Sequence, residues 1–237
     1  MKIKVCGMRD AENIREVEKL AEELSIVHCQ LSIDWMGFIF WPKSSRYVSE
    51  PPAYLPTKCK RVGVFVDASI DDIRQHVADY ALDYVQLHGH ESPEYLRQLR
   101  SFCGDSIATI KAFNIATVAD LEATKSYEGV ADYYLFDTRA TVPAGSPAGL
   151  PGGSGQQFDW RVLADYVGET PFLLSGGIGP DDAEHIRQAF TLDGFPVDKC
   201  LGIDLNSRFE IAPAQKDVAA LRRFLSALRR RNVSEKK

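Results

Sequence analysis

Cys6 and Asp137 are the two side chains of this 237-residue sequence whose types and settings suit proton transfer. Each ends a short apolar run, Lys4-Val5-Cys6-Gly7 and Leu135-Phe136-Asp137-Thr138. A thiol has an ordinary pKa near 8.5, so a modest shift gives a thiolate able to remove a carbon-bound proton. A carboxylic acid across the same substrate could donate a proton elsewhere. On residue type alone, Cys6 also reads as a small buried hydrophobe, which composition favours, and Asp137 as a cap or loop-anchoring carboxylate. Both readings stay open at this level.

Other residues suit anion binding. Leu174-Ser175-Gly176-Gly177-Ile178-Gly179-Pro180 is a glycine-rich turn read as leading into a helix over 180–190. Gly176 and Gly177 let backbone N–H groups approach a phosphate, although a tight turn alone would also need glycine. A second glycine-rich stretch, 144–155, offers Gly153, Ser154 and Gly155 as amide and hydroxyl donors. Arg46, after Lys43-Ser44-Ser45, could hold a carboxylate through its planar guanidinium, an ordinary solvated arginine being the alternative. His88 and His90 flank Gly89, and a metal would need three neighbouring ligands that the sequence does not assemble. His88 is expected to line a pocket and His90 to sit in a loop; neither a metal nor a cofactor is expected.

Chemistry of this kind needs a frame. Apolar runs rich in β-branched and aromatic residues occur at 3–7, 36–40, 62–66, 84–87, 108–113, 133–136, 172–174 and 200–205. Most lack apolar/polar alternation, the signature of strands covered on both faces. Between them lie helical patterns at 10–24, 69–80, 92–102, 117–125, 160–167, 180–190 and 215–231. Pro51 and Pro52 leave only a short or irregular segment after the second strand. Eight such repeats, each a strand plus crossover, predict an α/β fold: a single-domain (β/α)8 TIM barrel spanning 1–237, with a parallel eight-stranded barrel. No GxGxxG follows the first strand, which disfavours an open doubly wound sheet.

In this class the active site lies at the C-terminal strand ends, and phosphate binds at the loops after strands seven and eight. Cys6, Arg46, His88, Asp137, Gly176 and Asp204 all fall at such ends. The 140–156 segment, between strands six and seven, is expected to form an active-site lid.

Composition narrows the partners. Hydrophobic residues at 45% supply a globular core, and a net charge of −5 disfavours nucleic acid. No run approaches the roughly 18 apolar residues of a membrane span, and the N-terminus has no signal-peptide pattern. Five cysteines without a CxxC pair (Cys6, Cys29, Cys59, Cys103, Cys200) predict reduced thiols in a cytoplasmic protein. The expected partner is a small-molecule substrate, with neither nucleic acid nor membrane; no oligomeric partner is assigned.

Read together, the strand ends resemble the phosphoribosylanthranilate isomerase family, barrel enzymes of tryptophan biosynthesis. The matching pieces are Lys4-Val5-Cys6-Gly7-Met8, Met36-Gly37-Phe38-Ile39-Phe40, Pro42-Lys43-Ser44-Ser45-Arg46-Tyr47-Val48 and Arg61-Val62-Gly63-Val64-Phe65-Val66. They continue through Val85-Gln86-Leu87-His88-Gly89, Leu135-Phe136-Asp137-Thr138, Gly152-Gly153-Ser154-Gly155 with Phe158-Asp159-Trp160, and Leu174-Ser175-Gly176-Gly177-Ile178. The pieces lie in the family's order and cover nearly the whole chain.

The resemblance implies an Amadori rearrangement of N-(5-phosphoribosyl)anthranilate to 1-(2-carboxyphenylamino)-1-deoxyribulose 5-phosphate, without a cofactor. By the same resemblance Asp137 is the general acid, Cys6 the general base, and Arg46 the holder of the anthranilate carboxylate. Gly153, Ser154, Gly155, Gly176 and Gly177, with Asp204, Asn206 and Ser207 of the eighth-strand loop, would hold the phosphate. Where the family ends its eighth strand near Asp-Val-Ser-Ser-Gly-Val-Glu, this chain reads Asp204-Leu205-Asn206-Ser207-Arg208-Phe209-Glu210. Arg208 thus places a charge where the family carries small residues. The 138–152 loop is longer and richer in proline than is usual in the family, and the 26–35 stretch is also extended. A metal-dependent pentose-phosphate epimerase and a non-catalytic sugar-phosphate-binding barrel are the alternatives.

Overall fold

The computed structural model of the chain describes residues 1–25, 32–104, 106–137 and 160–229. The 140–156 segment, with Gly153, Ser154 and Gly155, and Cys29 lie outside the described residues. Eight strands follow in order: β1 (Lys2–Val5), β2 (Ser32–Ile39), β3 (Lys60–Phe65), β4 (Tyr84–Leu87), β5 (Ala108–Asn114), β6 (Tyr133–Asp137), β7 (Phe172–Ser175) and β8 (Cys200–Leu205). Each pairs in parallel with its sequence neighbours, and β1 closes on β8 with Lys4 opposite Asp204. The result is a closed eight-stranded barrel.

The missing alternation has a direct cause. Tyr134 and Phe136 of β6 point outward into the main core, where Phe136 meets Phe172 at 4.6 Å and Tyr166 at 5.2 Å between ring centres. Leu135, between them, points inward and packs with Trp35, Val62, Ile110, Ala112 and Leu173. Both faces of the strand are therefore buried. Trp35, Tyr84 and Tyr133 cluster inside the barrel, Trp35 lying 4.6 Å from Tyr84 and 5.8 Å from Tyr133. Tyr84 and Tyr133 open their strands, so the apolar filling occupies the N-terminal end and leaves polar inward residues at the other.

The helices start where capping residues satisfy the first free amides. Asp10 accepts from the amide of Asn13 (2.9 Å) ahead of α1 (Ala11–Ser25), whose Ile14, Val17 and Leu20 are fully buried. Ser69 accepts from Asp72 N at 3.1 Å before α2 (Ile70–Tyr80), and Ser92 from Tyr95 N at 3.2 Å before α3 (Pro93–Cys103). The patterns at 117–125 and 160–167 form 3-10 helices, Val118–Tyr127 and Trp160–Asp165. No helix joins β2 to β3, where Pro51 and Pro52 fall.

Two helices begin later than the sequence suggests. α4 (Ala183–Ala189) starts after Asp182, whose carboxylate accepts from Gly179 N at 2.6 Å and forms a turn over the expected first residues. The pattern at 215–231 does not begin as a helix. Gln215–Lys216 is β10, paired antiparallel with β9 (Glu210–Ala212), and α5 (Val218–Arg229) follows. Among the described residues, no helix is long and apolar enough to cross a membrane.

Candidate active site

The polar inward residues gather where β1, β4, β6 and β8 end. Strand alternation puts Lys4 and Cys6 on one face of β1, toward the barrel interior. The Cys6 amide donates to Leu205 O at 2.8 Å, and the residue is 3% exposed. Beneath it, Lys4 Nζ donates to Asp204 Oδ1 at 2.9 Å, with the Lys4 side chain fully buried. Gly37 on β2 makes room for the sulfur. A Cβ there would stand 2.7 Å from Cys6 Sγ and 3.1 Å from Cys6 Cα.

Charge and burial oppose each other at this thiol. Burial pushes Cys6 up, the Lys4 ammonium pulls it down, and the Asp204 carboxylate again raises it; the net direction is upward. Burial lowers Lys4, yet Asp204 and the Cys6 sulfur outweigh it and hold the ammonium above its ordinary pKa.

Asp137 is the last residue of β6 and shares the inward face with Leu135. It is 4% exposed. Its Oδ2 lies 3.7 Å from His88 Nε2, just past β4. On the other side of that ring, Gln86 Nε2 lies 3.2 Å from Nδ1. When the amide nitrogen donates there, the neutral imidazole carries its proton on Nε2, toward Asp137. The His88 loop is fixed by Lys111, whose Nζ donates to Gly89 O at 2.7 Å and Glu91 Oε2 at 3.0 Å. His90 is exposed beside Asp67, as a loop residue.

Around the closed ring, β6 is reached from β1 through β8 and β7, or the long way through the other four strands. Cys6 and Asp137 therefore flank the mouth from well-separated strands, although β5, not β6, is diametrically opposite β1.

Arg46 is not a solvated surface arginine. Its Nε lies 2.9 and 3.0 Å from the two Glu210 oxygens, and Nη2 lies 2.6 Å from Oε2. Glu210 also accepts from Lys216 Nζ at 2.5 Å, and Lys216 Nζ reaches Asn206 Oδ1 at 3.0 Å. Burial raises Glu210, but Arg46 and Lys216 prevail and hold its carboxyl below the usual range. Gly7, at φ +77°, lies between these loops; a Cβ there would meet Arg46 Cδ at 2.7 Å and Asn206 Oδ1 at 2.8 Å. Lys216 is a site-building residue that the helical reading of 215–231 concealed; it binds Glu210, and the Asn13 side chain pairs with its backbone.

The residues expected at the phosphate divide into two groups. Gly176 and Gly177 adopt φ +101° and +67°, and among the described residues a Cβ on Gly177 would meet nothing within 4 Å. Ser207 is exposed at the start of a 3-10 helix, Ser207–Phe209. Asp204, by contrast, faces inward, bound by Lys4 and by Ser175 Oγ at 3.3 Å. Asn206 directs its side-chain oxygen to Lys216. Among the described residues, no group of three His, Cys, Asp or Glu side chains is placed to hold a metal ion.

A closed parallel barrel with a buried thiol and carboxyl at its C-terminal mouth and a glycine turn after β7 places its polar groups where enzymes of this fold carry their active sites. The family model described as "N-(5'phosphoribosyl)anthranilate (PRA) isomerase" matches residues 3–227, and the chain belongs to that family. It is 45% identical over 231 residues to the N-(5'-phosphoribosyl)anthranilate isomerase of Phocaeicola vulgatus, covering 98% of this chain and 99% of that protein. It is 46% identical over 234 residues to the Parabacteroides distasonis enzyme of the same name, covering 96% and 93%. Among solved structures, it resembles phosphoribosyl anthranilate isomerase in complex with reduced 1-(o-carboxyphenylamino)-1-deoxyribulose 5-phosphate: TM-score 0.69, 25% identity, 96% of this chain and 98% of that one.

Proposed function

We propose that the chain isomerises N-(5'-phosphoribosyl)anthranilate to 1-(2-carboxyphenylamino)-1-deoxyribulose 5-phosphate, a step of tryptophan biosynthesis, by general acid–base catalysis between Asp137 and Cys6. Its family membership supports the reaction. The observation that carries the residue roles is that a thiol and a carboxyl, each nearly closed to solvent, end β1 and β6 at one barrel mouth. Free thiols at Cys6, Cys59, Cys103 and Cys200 suit a reducing, cytoplasmic setting.

Asp137, protonated, gives its proton to the furanose ring oxygen as the C1–O bond breaks, leaving a Schiff base between C1 and the anthranilate nitrogen. The Cys6 thiolate then takes the proton from C2, and the electron pair moves into a C1–C2 enolamine. Loss of the C2 hydroxyl proton and protonation of C1 complete the ketone. His88 Nε2–H steadies the Asp137 carboxylate left after the first transfer. The balance needs only protons, so no oxidant or reductant enters.

At the anthranilate end, Arg46 offers the guanidinium edge that Glu210 leaves free. Glu210 thus sets its orientation before substrate arrives. At the phosphate end, the backbone amides of the Gly176–Gly177 turn and the exposed Ser207 are the assigned donors among the described residues. Asp204 and Asn206 act from behind, the first by holding Lys4 and the second by anchoring Lys216.

A coupled fluorescence assay of substrate loss tests the assignment on wild type, Cys6→Ser and Asp137→Asn. The expected result is turnover in wild type and losses of about 10²–10⁴-fold in each variant. Undiminished turnover in both variants would remove the roles, and an inactive wild type would favour a binding protein.

A further inference from the structure

Arg208 stands in the 3-10 helix Ser207–Phe209, immediately beyond β8. Its guanidinium lies flat against Gly179 of the β7 turn. A Cβ on Gly179 would stand 2.7 Å from Nε, 2.9 Å from Cζ and 3.0 Å from Nη2. Glycine at 179 is thus what lets the cation rest against the backbone there. Arg46, Arg61 and Arg100 are each engaged by a carboxylate or carbonyl oxygens. Arg208 is exposed and, among the described residues, has no hydrogen-bond or ion-pair partner.

Among the described residues, the other donors and cations around it are committed. The Gly179 amide is taken by Asp182 at 2.6 Å, and α4 starts only at Ala183, so that donor is not free for an anion. Lys4 is committed to Asp204, and Lys216 to Glu210 and Asn206. Arg208 is then an uncommitted charge, among the described residues, at the gap between the β7 and β8 loops, where barrels of this class hold phosphate.

We propose that Arg208 is a phosphate-binding residue of this enzyme, holding the substrate's 5'-phosphate through its guanidinium fork beside the Gly176–Gly179 turn. Guanidinium and phosphate match as a bidentate pair, and the resting position on Gly179 restricts the side chain before the ligand arrives. The inference deepens the isomerase reading and rests on it. It assigns the anion subsite a side-chain charge in addition to backbone amides.

The test compares wild type, Arg208→Gln and Arg208→Lys by steady-state kinetics and by calorimetric titration with inorganic phosphate and, separately, with anthranilate. Arg208→Gln is expected to weaken phosphate binding and raise KM by roughly tenfold or more, as for other hydrogen bonds to charged groups. With kcat held within about twofold, this is the pattern of lost uniform binding. Anthranilate affinity should not change, and Arg208→Lys should fall between the other two. The proposal is overturned if phosphate affinity in folded Arg208→Gln stays within about twofold of wild type, or if anthranilate affinity falls equally. Should Arg208→Gln not fold, Arg208→Lys decides, wild-type phosphate affinity in it overturning the proposal. A wild type that binds phosphate but does not turn over would count against the isomerase reading instead, because the titration needs no catalysis.

Discussion

The Lys4 ammonium stands 2.9 Å from the Asp204 carboxylate, one inward residue below Cys6, and neither side chain is more than 7% exposed. This pair fixes the electrostatic setting of the proposed base. Its two charges act on the thiol in opposite directions, and burial raises the thiol further. Cys6 is consequently a thiol with a high pKa, which makes a strong base once it loses its proton.

The sign of the pH dependence follows. Because the thiolate is the active form and its pKa lies above the ordinary value, kcat/KM should climb from neutral pH into the alkaline range. Lys4→Met removes the cation that favours the thiolate, so this limb should move to higher pH. It should also destabilise the fold by about 3–5 kcal/mol, by leaving Asp204 charged and unpaired. Lys4→Met combined with Asp204→Leu should regain much of that stability. Denaturant titrations and pH–rate profiles of the single and double variants check both halves.

Glu210 gives a separate handle. Its pKa is depressed, so the stability it contributes is fully present above the unfolded-state value, near 4.3, and is lost as pH falls through the lower folded value. Glu210→Gln should flatten that acid loss in urea midpoints measured between neutral and acid pH. It should also raise KM by roughly tenfold, since Arg46 loses its charged partner. An unchanged KM would show that Arg46 does not need Glu210 to be placed.

Gly37→Ala tests the space around the sulfur. The added methyl would stand 2.7 Å from Cys6 Sγ and 3.1 Å from its Cα, so the thiol must shift. A misplacement near 1 Å can cost about 10²-fold in rate. The expected outcome is a fall in kcat of that order, with the circular dichroism of the barrel retained. Full activity would mean that the thiol position is not critical.

Much of this frame was legible from residue types. The eight apolar runs located every barrel strand, because strands covered on both faces need continuous apolar residues. Strand ends then named Cys6, Asp137, Arg46 and His88 as a group. Lys4 was not legible as a buried cation. In Lys2-Ile3-Lys4 it looks like the solvent side of a strand, whereas the barrel interior supplies Asp204 from the far end of the chain. Lys216 was hidden for a related reason. The apolar spacing of α5 runs smoothly into residues that form a hairpin instead, and tertiary bonds from Asn13 and Arg46 decide between them. The late start of α4 reflects a turn closed by Asp182, which outweighs the preference for Pro180 at a first helical position.

The base is the central assignment. Turnover of N-(5'-phosphoribosyl)anthranilate by Cys6→Ser, with substrate affinity measured on the same protein, tests it most directly. Affinity close to wild type and a kcat lower by about 10²–10⁴-fold are expected. A Cys6→Ser enzyme that turns over at the wild-type rate would contradict the assignment.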